Sequence, residues 1–253
     1  MGGAYVLVAL VMILLHIDLL PGVLVAIFRN AFDFRAIFGG FTGSAMMYGI
    51  KRGLFSNEAG VGSAPNAAAA ASVSHPVKQG LAQILSVFLD TLVICTATAF
   101  LCLCSGVAPD PALRGVPYVQ AALAGTFGSF GHWFITFATL LFAFTTILGN
   151  YYYCESNLSY LLRRDARRWE LTVFRLLAVY LVFLGARLDF SLVWDMADVT
   201  MGCMALINLP AILLLAKPVM LALADYTRQR KQGLDPVFRA ADIGLAGKTE
   251  FWN

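Results

Sequence analysis

Across 253 residues the chain is 59% hydrophobic and only 13% charged, where a soluble domain carries about 45–50% apolar and about 25% charged residues. That excludes an ordinary water-soluble fold, and a net charge of +3 gives no footing to a nucleic-acid partner. The composition is that of a membrane protein, and lipid, which offers nothing to a free backbone N–H or C=O, forces its spans to be helices.

The first apolar run covers residues 2–17, followed by Asp18, a Pro21-Gly22 break and an apolar stretch at 23–28 too short to span. The pattern predicts one membrane helix and then a surface helix. Neither a basic n-region nor a small-residue cleavage site precedes the run, so it does not read as a secretory signal. Residues 36–50 form a second, short segment carrying Gly39, Gly40, Gly43 and Gly49. The run Gly39, Gly40, Phe41, Thr42, Gly43 supports two readings. Glycines free the backbone from helical dihedrals, and a helix broken at midplane presents bare amides and carbonyls to a zwitterion or a cation. Small residues four apart also let two helices pack closely.

Ser63, Pro65 and the alanine run behind them predict a short helix with Ser63 as N-cap, ended before His75-Pro76. Residues 79–104 are the third segment, interrupted only by Asp90. A carboxylate at that depth costs about 2.5–3.5 kcal/mol on insertion scales. Asp90 is therefore either a second ion or proton site or a structural hydrogen-bonding group facing hydroxyls such as Thr91. The loop at 106–131 has an apolar part, 119–127, that suggests a lid helix. The fourth segment runs over 133–153 and continues as a helical turn to 162, the fifth over 171–186 and the sixth over 199–216. Asp195 and Asp198 read as solvated charge. The stretch from Asp225 is polar and basic around Arg228, Arg230 and Lys231, suited to anionic headgroups.

Lys and Arg set the orientation. The loops after segments two, four and six hold thirteen of them, and the opposite side holds four, Arg29, Arg35, Arg114 and Arg187. Both termini are thus expected on the cytoplasmic side of a multi-pass bacterial inner-membrane protein, with residues 1–224 as the transmembrane bundle and 225–253 as a cytoplasmic tail. The five cysteines lack metal spacing and read as buried thiols. His16, His75 and His132 are scattered and receive no catalytic role. Neither Gly-x-Ser-x-Gly nor Gly-x-Gly-Asp occurs, so an intramembrane enzyme is not expected.

Residues 52–63 read Arg-Gly-Leu-Phe-Ser-Asn-Glu-Ala-Gly-Val-Gly-Ser. With the run from Asp90 to Thr96, the run from Phe142 to Ile147 and the pair Asn208-Leu209, this string resembles the alanine or glycine:cation symporter family over most of the chain. The resemblance implies an all-α membrane protein built as the second half of an inverted-repeat (5+5 helix) amino-acid transporter fold. About six transmembrane helices are then expected here, the last helix of the first repeat and the five of the second, without the first repeat's broken helix. It implies symport of alanine, glycine and possible relatives such as serine or D-isomers with sodium, no cofactor beyond that co-transported ion, and a missing N-terminal half as partner.

By the same resemblance Gly39, Gly40, Phe41, Thr42 and Gly43 line the substrate site together with Thr146 and Asn150. Thr145 and Thr146 supply the hydroxyl pair of a sodium site, hard oxygen ligands for a hard cation. Read alone, two threonines in a membrane helix more commonly bond their own backbone. Many family members carry tryptophan where this chain has Asn150, four residues past Thr146 on the same helix face, which implies a roomier pocket. A chain holding one half of a two-fold architecture is expected to be inactive by itself. The competing reading is a truncated, non-transporting membrane fragment or assembly module.

Overall fold

The structure, a computed structural model, describes residues 2–32, 45–58, 60–108, 110, 113, 115–247, 249 and 252. The described residues are helical or irregular, with no strand among them. Helices α1 (Gly2–Leu15), α2 (Leu20–Ala31), α3 (Ala45–Ser56), α4 (Ala64–Ala69) and α5 (Pro76–Leu89) come first. They are followed by α6 (Thr96–Leu103), α7 (Val116–Phe127), α8 (Ser129–Leu162), α9 (Arg168–Arg187) and α10 (Phe190–Lys231). A π-helical turn, Asp90–Cys95, joins α5 to α6, and short 3-10 turns fall at Ile17–Leu19 and Ala240–Ile243.

Among the described residues four stretches are long and apolar enough to cross a membrane: Pro76–Leu103, Ser129–Leu162, Arg168–Arg187 and Phe190–Lys231. A fifth is added if α1 and the bent segment Ile17–Ala31, at 79° to it, count as one span. The bend falls where Asp18 and Pro21 interrupt the apolar run. Proline has no N–H to continue the ladder and is preset for a first turn, which it occupies in α2. The segment expected at 36–50 lies outside the described residues up to residue 44.

The chain divides into two compact units. One comprises residues 1–52 and 88–155. Its core is Tyr5 and Ala9 of α1, Ala97 and Leu101 of α6, Ala122 and Leu123 of α7 and Ile135 of α8. Gly131 lets α8 pass against α7, since a Cβ there would stand 2.6 Å from the Leu123 carbonyl oxygen. The other unit comprises residues 53–87 and 156–253, with a small core of Ala222, Phe238 and Ala240 flanked by Val77, Ile243, Leu245 and Trp252.

Within this second unit α9 has no buried residue, and α10 exposes Leu206, Ile207, Leu213 and Leu214 at 74–82%. A helix apolar all round and packed on little protein belongs in hydrocarbon. The start of α9 is fixed by Glu170, which accepts from the Arg167 N–H at 2.7 Å and takes both Arg164 guanidinium nitrogens, at 2.9 and 2.6 Å. Among the cysteines, Cys104 is buried and Cys102 half-buried, but Cys95, Cys154 and Cys203 are exposed. These three therefore stand on exposed helix surface and not in the interior of the described structure, contrary to the buried thiols expected from sequence.

Candidate functional site

Of the residues singled out in the sequence, Gly39, Gly40, Phe41, Thr42 and Gly43 lie outside the described residues. Thr145, Thr146 and Asn150 share one exposed stretch of α8. The Thr145 hydroxyl donates to its own helix, to the carbonyls of Leu141 at 3.1 Å and Phe142 at 2.9 Å. Asp90 is half-buried and opens the π-helical turn. Such a turn inserts one residue into the i→i+4 register and recurs at functional sites.

Next to that turn is an apolar cavity of about 240 Å³, bordered by Tyr5, Ile94, Thr98, Ile135, Thr139 and Phe142. Its polar edge is a hydroxyl pair, Tyr5 Oη to Thr98 Oγ1 at 2.8 Å. Thr98 in turn donates to the Ile94 carbonyl at 3.0 Å. The Tyr5 ring meets Phe142 edge-on with centroids 6.3 Å apart.

The most elaborated polar structure is the loop after α3, in the second unit. Asn57 N–H closes α3 on the Gly53 carbonyl at 3.1 Å. Glu58 then takes a positive φ of 49°, the left-handed region that costs a side-chain-bearing residue about 1–2 kcal/mol. What holds it there is the Ser63 hydroxyl, which donates to Glu58 Oε2 at 2.6 Å. Ser63 therefore does not cap α4 with its side chain, contrary to the capping expected from sequence. Asn66 instead reaches back from α4 toward the carbonyls of Gly62 and Ser63, at 3.4 and 3.3 Å. Asn157, near the end of α8, donates to Asn66 Oδ1 at 3.3 Å.

The two glycines of the loop explain why the string needs them. Gly60 and Gly62 have φ of +81° and +99°, and a Cβ on either would come within 3.0 Å of α10, at the Leu209 Cδ2 and the Asn208 Cγ respectively. Glycine alone meets both demands, positive φ and no side chain. The approach is sealed by Asn208 Nδ2, which donates to the Gly60 carbonyl at 3.0 Å, while Val61 between them is buried. A backbone turn with left-handed residues and a side-chain amide on its carbonyl forms a rigid corner held by few bonds. It is chemically suited to positioning and release, not to bond-making. Among the described residues no group of His, Cys, Asp and Glu could hold a metal ion.

Residues 1–240 match the sodium:alanine symporter family. The chain is similar to the amino-acid carrier protein AlsT of Bacillus subtilis (strain 168), 46% identical over 252 residues that make up 100% of this chain and 53% of that protein. It is 42% identical to the sodium/proton-dependent alanine carrier protein of Bacillus sp. (strain PS3), over 100% of this chain and 60% of that one. With the sodium/alanine symporter AgcS of Methanococcus maripaludis it shares 38% identity over 91% of this chain and 51% of the relative. The chain thus spans about half the length of the relatives it matches.

Proposed function

Because the chain belongs to the sodium:alanine symporter family, a family of transporters and not of enzymes, we propose that it forms the carboxyl-terminal half of a sodium-coupled carrier of small neutral amino acids. Alanine, glycine, serine and D-isomers are the substrates that fit this reading, and sodium is the coupled ion. The observation that carries it is the loop from Asn57 to Ser63, whose glycines are spent on seating a family-defining string against α10 through Asn208. Such a corner between two membrane helices is what a carrier uses to couple their movement.

In this reading the second repeat of an inverted-repeat fold begins within residues 36–50. Gly39, Gly40, Phe41, Thr42 and Gly43, at a broken helix, line the substrate site together with Thr146 and Asn150. Thr145 and Thr146 ligate sodium. Thr145 is held ready by its bonds to Leu141 and Phe142, and its hydroxyl oxygen keeps a lone pair for an ion. Asp90, at the π-helical turn, is a second ion or proton site. The loops rich in Lys and Arg and both termini lie on the cytoplasmic side of a bacterial inner membrane.

The test is uptake into proteoliposomes. A full-length carrier containing this sequence accumulates alanine with a sodium gradient, whereas this chain reconstituted alone does not. Robust uptake by the chain alone would overturn the need for an amino-terminal half. Absence of sodium-dependent amino-acid uptake by the full-length protein, with the protein folded, would overturn the function itself.

A further inference from the structure

The end of α10 and the residues after it form a second built site, which the transport reading does not use. Beyond Gln232 the chain turns back and runs extended. Pro236, Phe238 and Ala240 are buried while Asp235, Val237 and Arg239 are exposed, the period-two alternation of a strap lying on a surface. Both of its edges are pinned. On the side preceding α5, the Phe238 N–H donates to the Ser74 carbonyl at 2.9 Å and the Ser74 hydroxyl to the Pro236 carbonyl at 2.9 Å. Lys78 Nζ joins Ser74 Oγ at 2.7 Å to Asp235 Oδ1 at 2.5 Å. On the α10 side, the Gln229 amide pairs with both backbone groups of Val237, each at 3.0 Å. The end of the chain closes over this, with the Ala240 N–H on the Trp252 carbonyl at 2.6 Å and the rings of Phe238 and Trp252 5.5 Å apart.

At the centre is His75, with none of its surface exposed. The Tyr226 and Phe238 rings stand edge-on to it, each with its centroid 5.1 Å away. Its Nδ1 accepts the Val77 N–H at 3.2 Å, which assigns a neutral ring with the proton on Nε2. That Nε2 faces Asp225 Oδ2 at 3.5 Å. Asp225 is itself 4% exposed and is already held by the Arg228 guanidinium and by Gln229 Nε2 at 2.7 Å.

We propose that residues 234–247, with Trp252, form a clasp fastening the start of α5 to the end of α10, and that protonation of His75 opens it. A proton on Nδ1 points at the Val77 N–H that it formerly accepted, so that bond is lost, and a charge is left between two rings without water. Asp225 favours the charge, but its carboxylate is shared with Arg228 and Gln229, and the Lys78 ammonium opposes it. Burial is the largest influence and holds His75 below its ordinary value of 6.5, against the smaller upward pull of Asp225. Closed, this histidine binds fewer protons than it does when the clasp is open. The clasp's stability is therefore intact above about pH 6.5 and is lost as pH falls below that value through the lower value of the closed state. Asp235, exposed on the strap, is paired with Lys78.

The experiment uses the full 253-residue chain in nanodiscs, labelled with 5-fluorotryptophan and with carbon-13 histidine, and needs no transport. The Trp252 fluorine signal, assigned through Trp252→Phe, is expected to be broad and immobile at pH 8 and to become mobile by pH 5. His75→Asn, whose amide oxygen can still accept the Val77 N–H, is expected to lose that transition. In a chain carrying His16→Gln and His132→Gln, the one remaining imidazole is expected to titrate with the same midpoint as the release of Trp252. A wild-type clasp that stays closed to pH 5, or one that opens unchanged in His75→Asn, overturns the proposal. If His75→Asn is open at every pH, the coincidence of the two midpoints decides: shared midpoints support the switch and separate ones overturn it.

Discussion

Asn208 illustrates how much one side chain can be asked to do. Its amide seals a turn whose two glycines approach α10 to contact distance, so the residue is positional and both of its neighbours are sterically committed. Gly62→Ala is expected to cost about 2 kcal/mol, from left-handed backbone strain plus displacement of Asn208. Asn208→Ala is expected to cost about 1 kcal/mol for one lost hydrogen bond. Both should lower the midpoint of SDS-induced unfolding, and Gly53→Ala, with open space around its Cβ position, should not. A Gly62→Ala midpoint equal to wild type would show that the loop does not sit on α10. At Thr145 the expected outcome concerns the ion. Thr145→Val keeps the shape and removes the hydroxyl, so in the full-length carrier the sodium concentration for half-maximal uptake is expected to rise about tenfold, the equivalent of roughly 1.4 kcal/mol. At this scale sequence went half way. The string at residues 52–63 was legible because composition and order are local. Its partner was legible only as one more residue of a resemblance, because the bond joins positions 148 apart and no periodicity links them. Ser63 takes the N-cap position expected of it, but its hydroxyl does not cap the helix because Glu58, five residues earlier, takes it.

At the scale of elements, the hairpin of α7 and α8 depends on two glycines. Gly128 turns the chain at φ +58°, and Gly131 then lies against the Leu123 backbone. A methyl at Gly131 meets a carbonyl that cannot move without unwinding α7. Gly131→Ala is therefore expected to destabilise by about 1–3 kcal/mol, measured as a lowered midpoint in the same SDS titration, with Gly125→Ala as the control on an open face. The apolar stretch at 119–127 was legible as a helix, and α7 covers it. Its packing was not, since Ala122 and Leu123 are buried against other elements of the first unit. The sixth apolar segment, 199–216, marks only the middle of α10. Hydropathy follows the solvent, whereas helical hydrogen bonding continues past the edge of the lipid, from the Asp189 cap to Lys231. The π-helical turn at Asp90 is invisible in sequence, because one inserted residue alters the register of the backbone and leaves the composition unchanged.

The molecule as a whole is a membrane protein whose described helices show most of their apolar surface outward, and here composition was fully informative. Leu213, 75% exposed on α10, tests the assignment of that surface. Leu213→Arg is expected to raise the apparent insertion free energy of the segment by about 3 kcal/mol, read as a reduced inserted fraction in a microsomal assay. An unchanged fraction would mean that this face does not meet lipid. Less was legible in the polar end of the chain. Basic residues around Arg228 suggest a headgroup-facing tail, yet Phe238 folds back onto His75 and Trp252 onto Phe238, because two aromatic rings have more to gain from a small core than from water.

The length of α10 has a mechanical consequence. Forty-two residues make a rod of about 63 Å, roughly twice the thickness of hydrocarbon. Pro218 lies inside it, where the missing N–H leaves the ladder one strut short and gives a natural pivot. A change of about 10° at that pivot swings the far end, some 20 Å away, through about 3.5 Å, enough to part a hydrogen bond. Asn208 and Asp225 stand on opposite sides of Pro218, so a bend at that residue would part the polar contacts at one end of α10 from those at the other.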